Sequence, residues 1–111
     1  MADASLHLSE DLFKKFLREH PKDLILVDFY ADWCPHCQTV GPILENVARL
    51  YKSKKVWVVK IDTDAYDSLS REYKVDVLPT LILLQEGKQL ERAEGSQSQS
   101  FFESWLKKHL K

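Results

Sequence analysis

The chain has 111 residues, of which 44% are hydrophobic and 11% aromatic; that is material for one packed domain spanning 1–111 and excludes a disordered polar chain. Its 16 basic and 17 acidic side chains leave a formal net charge of −1, so the basic footprint that a phosphate backbone requires is missing and nucleic acid is excluded as a charge-driven partner. No apolar run approaches the roughly 20 residues needed to span a bilayer, and Met1 to Glu10 lacks the basic start and apolar centre of a secretory leader, so a cytoplasmic protein that does not engage a membrane is expected.

Ser9-Glu10-Asp11 predicts a helix start, a capping hydroxyl followed by two acids at the positive end of the dipole. Leu12, Phe13, Phe16 and Leu17 recur at helical spacing and His20-Pro21 stops the run. Leu24 to Tyr30 is apolar and partly β-branched, a buried strand by length and flanks. Trp33 to Cys37 follows as a strand-to-helix turn. A helix fits from Pro35 to Tyr51, with Val40, Leu44, Val47, Ala48 and Tyr51 inward and Pro42 expected to kink it. Lys55 to Ile61 reads as a second buried strand and Asp67 to Tyr73 as a short helix. Leu81 to Leu84 is a third strand, Glu86-Gly87-Lys88 a turn and Gln89 to Ala93 a fourth strand. Ser98 to Leu110 closes the chain as a helix with Phe101, Phe102, Trp105, Leu106 and Leu110 facing inward. Trp57, Trp105, Phe101 and Phe102 are read as core. The order is an α/β class with a mixed sheet covered by helices on both faces. The strands joined through the long helix should be parallel, and the hairpin about Gly87 antiparallel.

Only two cysteines are present, Cys34 and Cys37. A disulfide between them closes too short a loop to constrain the unfolded chain much, so reversible exchange explains the pair better than stapling. Two thiols at this spacing, opening a helix after a buried strand, form a redox dithiol motif. Cys34 at the helix N-terminus is placed where unpaired amides and the macrodipole stabilise a thiolate. Cys37, one turn along and expected to be less exposed, can resolve a mixed disulfide. Pro35 suits the first helical turn. His36 keeps a backbone N–H that can point at the Cys34 sulfur, and a protonated imidazole there would add positive charge; the bland alternative is a solvent-facing side chain. Stabilising the thiolate favours the reduced form, so Pro35-His36 is expected to make the dithiol more oxidising than Gly-Pro would. Zinc needs four ligands, and His7, His20 and His109 have no paired spacing with the cysteines, so no metal is expected.

Asp28 lies inside the run Leu24 to Tyr30. A buried carboxylate without a partner is costly, so its pKa should rise toward the working range, which would suit a proton acceptor for Cys37. The alternative is an edge position that reaches water. Lys60, on the next strand, either tunes this acid or is an exposed strand lysine. Leu78-Pro79-Thr80 suits a turn before the third strand. Trp33 is either core or a surface flank for substrate.

In order and spacing, Val27-Asp28-Phe29-Tyr30-Ala31-Asp32-Trp33-Cys34, then Pro42, Val59-Lys60-Ile61-Asp62, Leu78-Pro79-Thr80 and Gly87, resemble the thioredoxin family over about residues 5 to 110. The resemblance implies a thioredoxin fold, four to five strands flanked by helices, and dithiol–disulfide exchange on protein disulfides. It also implies Cys34 as nucleophile, Cys37 as resolving thiol, Asp28 as proton acceptor, Lys60 as partner of that acid, and Pro79 as a cis-proline facing the disulfide. Trp33, Pro35, Leu78, Pro79 and Gly95 would then hold substrate. Electrons would come from a thioredoxin-reductase-type donor, with no cofactor beyond the Cys34–Cys37 disulfide, in a monomer. Three positions depart from the usual pattern. Pro35-His36 replaces Gly-Pro and resembles the centre of periplasmic disulfide oxidases, whose helical insertion is absent here. Glu94 stands where an apolar groove residue is usual and would repel acidic partners, and Val77 replaces a common glycine. Net reduction is the leading expectation. An oxidase or isomerase, or a non-catalytic binding module built on the surface around Trp33 and Pro79, are the alternatives.

Overall fold

In the computed structural model, which describes residues 3–110, the chain forms a five-stranded mixed sheet with helices on both faces. The strands are β1 (Leu6–His7), β2 (Leu24–Tyr30), β3 (Val56–Asp62), β4 (Thr80–Gln85) and β5 (Lys88–Glu94). The helices are α1 (Glu10–Glu19), α2 (Pro35–Tyr51), α3 (Asp67–Glu72) and α4 (Gln99–His109). Across the sheet the order is β1-β3-β2-β4-β5. β2 pairs parallel with β3 and antiparallel with β4, so the run carrying Asp28 is the central strand.

Side-chain alternation on the strands divides the interior into two cores. Leu24 and Leu26 of β2, Val56 and Val58 of β3, and Leu81 and Leu83 of β4 pack with Val40, Leu44 and Val47 of α2 and Phe102 and Leu106 of α4. Ile25, Val27 and Phe29, with Val59, Ile61 and Ile82, pack on the opposite face against Phe13 and Leu69. Each such fully buried side chain stabilises the fold by roughly 1.5–3 kcal/mol. That surplus allows a carboxylate, Asp28, to occupy the α2 face of the same central strand.

Local signals place the ends. Ser9 caps α1 by accepting the Leu12 N–H, and Ser98 caps α4 by accepting the Phe101 N–H. Ser98 therefore lies just outside the helix that sequence reading started with it. The helix α2 runs through Pro42 to Tyr51 without a break. Glu86 and Gly87 both have positive φ, as a two-residue type I′ turn requires, and they join β4 to β5.

Several expectations are corrected. The strand β1, not foreseen, pairs parallel with β3, setting Leu6 opposite Val59 and His7 opposite Lys60. Two residues are too few to show a period. Of the apolar residues that recur at helical spacing in α1, Phe13 is buried and Leu12 is 53% exposed. Trp57 is half-buried, packing on Phe16 and donating its indole N–H to Asp23 at 2.8 Å. Phe101 and Leu110 are likewise half-buried at the border of the α2 core.

Candidate active site

Cys34 is the N-cap of α2, and Pro35 opens the helix with its missing N–H at a position that has no intrahelical acceptor. The backbone at Cys34 is extended, and its sulfur accepts the N–H of Cys37 at 3.2 Å. A cap side chain accepts from the second or third helical amide. The donor to Cys34 is therefore the amide of Cys37, and not that of His36 as the sequence suggested. Both cysteines are free thiols and are buried alike, 4% exposed for Cys34 and 5% for Cys37. The expected difference in exposure is absent: both thiols cluster with Ala31, and Leu78 and Tyr30 pack against that cluster. His36 and Pro35 are exposed.

Burial pushes the Cys37 thiol up to about 12, and its hydrogen bond with Cys34 adds to the rise. The backbone of Ala31 acts in the opposite direction, while the charges of Cys34 and Asp28 raise it further. Two of these raising causes belong to Cys34. They would end if Cys34 were bonded to another sulfur, which would make Cys37 easier to deprotonate.

Asp28 is fully buried, and neither carboxylate oxygen has a hydrogen-bond partner among the described residues. Its position on the central strand excludes the water-facing alternative. Burial raises its pKa to about 7, against a downward pull from Lys60. The two residues face each other in the parallel β2–β3 register, so Lys60 is half-buried beside the acid and is not an exposed strand lysine. A groove of about 570 Å³ reaches this region, with Cys37, Tyr30, Gly41 and Lys60 in its wall.

On the other side of Cys34 lies a groove of about 470 Å³ lined by Trp33, Pro35, His36, Asp64, Asp67, Asp76 and Leu78 among others. Trp33 is 68% exposed and donates its indole N–H to Asp64, which makes it a surface flank. The Leu78–Pro79 peptide bond is cis. The carbonyl of Pro79 accepts the N–H of Gly95 at 2.8 Å, and Thr80 stands opposite Glu94 in the sheet. Gly95 has φ +87°, a conformation that strains any residue with a Cβ. The fold thus gathers Cys34, Cys37, Trp33, Pro35, His36 and Leu78 into one site, with Asp28 and Lys60 behind it and Gly95 tied to Pro79. Sequence reasoning missed Tyr30 and Asp64. Tyr30 was findable, since it lies two residues beyond Asp28 and so shares its face of the strand; Asp64 carries no signal before the chain is folded.

Among the described residues no three His, Cys, Asp or Glu side chains are grouped to hold a metal ion, and no helix is long and apolar enough to cross a membrane.

Comparison with known proteins gives a consistent result. Residues 4–108 match the profile of the family described as Thioredoxin. The chain is 45% identical over 85 residues to the thioredoxin-like protein slr0233 of Synechocystis, covering 77% of this chain and 79% of that one. It is 44% identical over 86 residues to chloroplastic thioredoxin Y1 of Arabidopsis thaliana, covering 78% of this chain and about half (49%) of that one. Among solved structures, thioredoxin NaTrxh of Nicotiana alata superposes with a TM-score of 0.90 at 28% identity, covering 100% of this chain and 96% of that one.

Proposed function

The chain belongs to the thioredoxin family, and we propose that it carries out dithiol–disulfide exchange on protein disulfides, in net direction a reductase with a relatively oxidising centre. The observation that carries this reading is the geometry at the start of α2, where the Cys34 sulfur accepts the Cys37 amide beside a groove and the charge of the buried Asp28 reaches the Cys37 thiol.

The Cys34 thiolate attacks one sulfur of the substrate disulfide, forming the Cys34–substrate bond and releasing the other substrate sulfur as a thiolate. The Asp28 carboxylate takes the Cys37 proton. The resulting Cys37 thiolate attacks the Cys34 sulfur and expels the second substrate thiolate. Two electrons pass from the dithiol to the substrate, and two protons complete its thiols. The Cys34–Cys37 disulfide must then be reduced by an external reductase-type donor, so the sulfurs themselves carry the electrons.

Trp33, Pro35, Leu78, the Pro79 backbone and the Gly95 loop would bind the extended chain that flanks a substrate disulfide. The exposed His36 between the two cysteines favours a second reading, an oxidase or isomerase, because positive charge there stabilises the thiolate and raises the potential. The test is thiol release from a protein disulfide with a small dithiol as donor. Wild type should turn over, Cys34→Ser should be inactive, and Cys37→Ser should accumulate a mixed disulfide. Activity retained in Cys34→Ser would overturn the reading.

A further inference from the structure

Lys60 is the one charge that draws the Asp28 carboxyl down, yet among the described residues no carboxylate stands within 4.0 Å of its ammonium. What the ammonium does meet is an aromatic face: Lys60 Nζ lies 4.6 Å from the centroid of the Tyr30 ring. That is well inside the range of about 6 Å for a cation–π contact. The strand geometry brings the two within reach. Asp28 and Tyr30 are two apart on β2 and share the α2 face, and the parallel register places Lys60 directly beside Asp28 on that face. A Cβ built on Gly41 of α2 would stand 3.8 Å from Lys60 Nζ, so helix and ring close on the ammonium from two directions.

We propose that Tyr30 is a positioning residue for the proton-transfer pair, its ring face holding the Lys60 ammonium beside Asp28. This rests on the dithiol-exchange reading above. The other groups around the pair do not supply the same hold. From β1, His7 stands opposite Lys60 and sets its ring edge on Tyr30 at 6.4 Å, while its imidazole meets Asp3 at 3.3 Å. Asp62 at the end of β3 and Asp32 after β2 bring negative charge to Tyr30. From α2, Cys37, Glu45 and Arg49 share the groove wall; Glu45 is engaged by the backbone N–H groups of Ala4 and Ser5 and by the Ser5 hydroxyl. Burial, followed by the charges of Asp62, Asp32 and Asp28, raises the Tyr30 phenol, so the ring stays neutral and acts through its face.

The test reads the Asp28 carboxyl directly by ¹³C NMR titration of the reduced protein, alongside the pH profile of thiol release. Tyr30→Leu should raise the Asp28 titration by about half a pH unit, the worth of an exposed cation–π contact, and Tyr30→Met should do the same with the length of the side chain kept. Tyr30→Phe, which keeps the face, should leave the titration in place. Lys60→Met should raise it, and adding Tyr30→Leu to Lys60→Met should raise it no further. An unmoved titration in Tyr30→Leu and Tyr30→Met overturns the proposal, as does a shift that persists at full size in the Lys60→Met background, which would mean a packing role. A wild type that titrates as expected but releases no thiol would instead refute the exchange reading and leave the Tyr30–Lys60 contact standing.

Discussion

The Trp33 indole N–H donates to the Asp64 carboxylate at 2.9 Å, so a largely exposed aromatic ring is held in one orientation beside Cys34. Asp64 is itself ordered, its backbone N–H donating to Asp62 at 3.0 Å. An exposed ring fixed in this way offers substrate an apolar flank with little further entropy to lose. Asp64→Ala should therefore raise KM for a protein disulfide about 3- to 10-fold with kcat little changed, the worth of one exposed hydrogen bond. Steady-state kinetics at two substrate sizes checks this. An unchanged KM would mean that Trp33 needs no orienting partner.

The same groove has a charge. Asp64, Asp67 and Asp76 line it and, among the described residues, no lysine or arginine does; Arg71 reaches Asp67 at 2.9 Å. Glu94 is exposed beside Gly95. Disulfide peptides flanked by lysine should react faster than the same peptides flanked by glutamate, and the gap should narrow as salt shortens the Debye length from about 10 Å at 0.1 M to about 3 Å at 1 M. Asp67→Asn with Asp76→Asn should shrink the preference. Equal rates for the two peptides at low salt would remove the electrostatic argument.

Asp28 should also leave its mark on stability. Its folded pKa of about 7 lies above the ordinary 3.8, so between those values the folded chain binds a proton that the unfolded chain has lost. Stability from this group is complete below about pH 4 and is lost as pH rises through about 7. The difference of about three units corresponds to roughly 4 kcal/mol at neutral to alkaline pH. Denaturant titrations at pH 4 and pH 8 should show Asp28→Ala gaining on wild type at the higher pH by an amount of that order. In the same variant the rise of the resolution rate through about pH 7 should flatten. A pH-independent difference in stability between the two proteins would contradict the burial argument.

How much of this was legible in the chain follows from which interactions are local. The run from Leu24 to Tyr30 announced a buried strand because a strand covered on both faces needs no alternation, and Asp28 stood out against it; that it is the central strand came from the sheet order. Cys34 to Cys37 announced a helix start with Cys34 at its N-terminus because the signal is local and consecutive, but which amide reaches the sulfur, that of Cys37 and not of His36, needed the cap geometry. The meeting of Lys60 with Tyr30 depends on the register of β2 and β3, which are far apart in sequence, a spacing that carries no periodic signal. The same is true of β1, whose two residues owe their place to β3 alone. Trp57 and Phe101 looked apolar enough for the core, but whether a site on a helix or strand is covered depends on neighbours that composition does not specify.

The last prediction concerns the two residues between the cysteines. The Cys37 amide that reaches the Cys34 sulfur is a backbone group at the third helical position, so neither the Pro35 nor the His36 side chain supplies that hydrogen bond. What Pro35-His36 adds is an exposed imidazole at the rim of the groove that holds Cys34, and a second free N–H at His36 where proline would have none. The N–H dipole near the helix start, and the imidazole where it carries a proton, would each favour the thiolate, hence the reduced form, hence a higher potential. Pro35→Gly with His36→Pro should lower the Cys34–Cys37 potential by about 30 mV or more, each 30 mV being about 1.4 kcal/mol for this two-electron couple. Equilibration against a glutathione series measures it, with roughly −270 mV marking a general reductase and roughly −180 mV an oxidase-like centre. His36→Gln separates the two contributions, since it removes the imidazole and keeps the N–H; a drop as large as that of the double variant assigns the effect to the side chain. A double variant with an unchanged or higher potential would show that the intervening pair does not set the direction of exchange, and the oxidase reading would lose the observation that supports it.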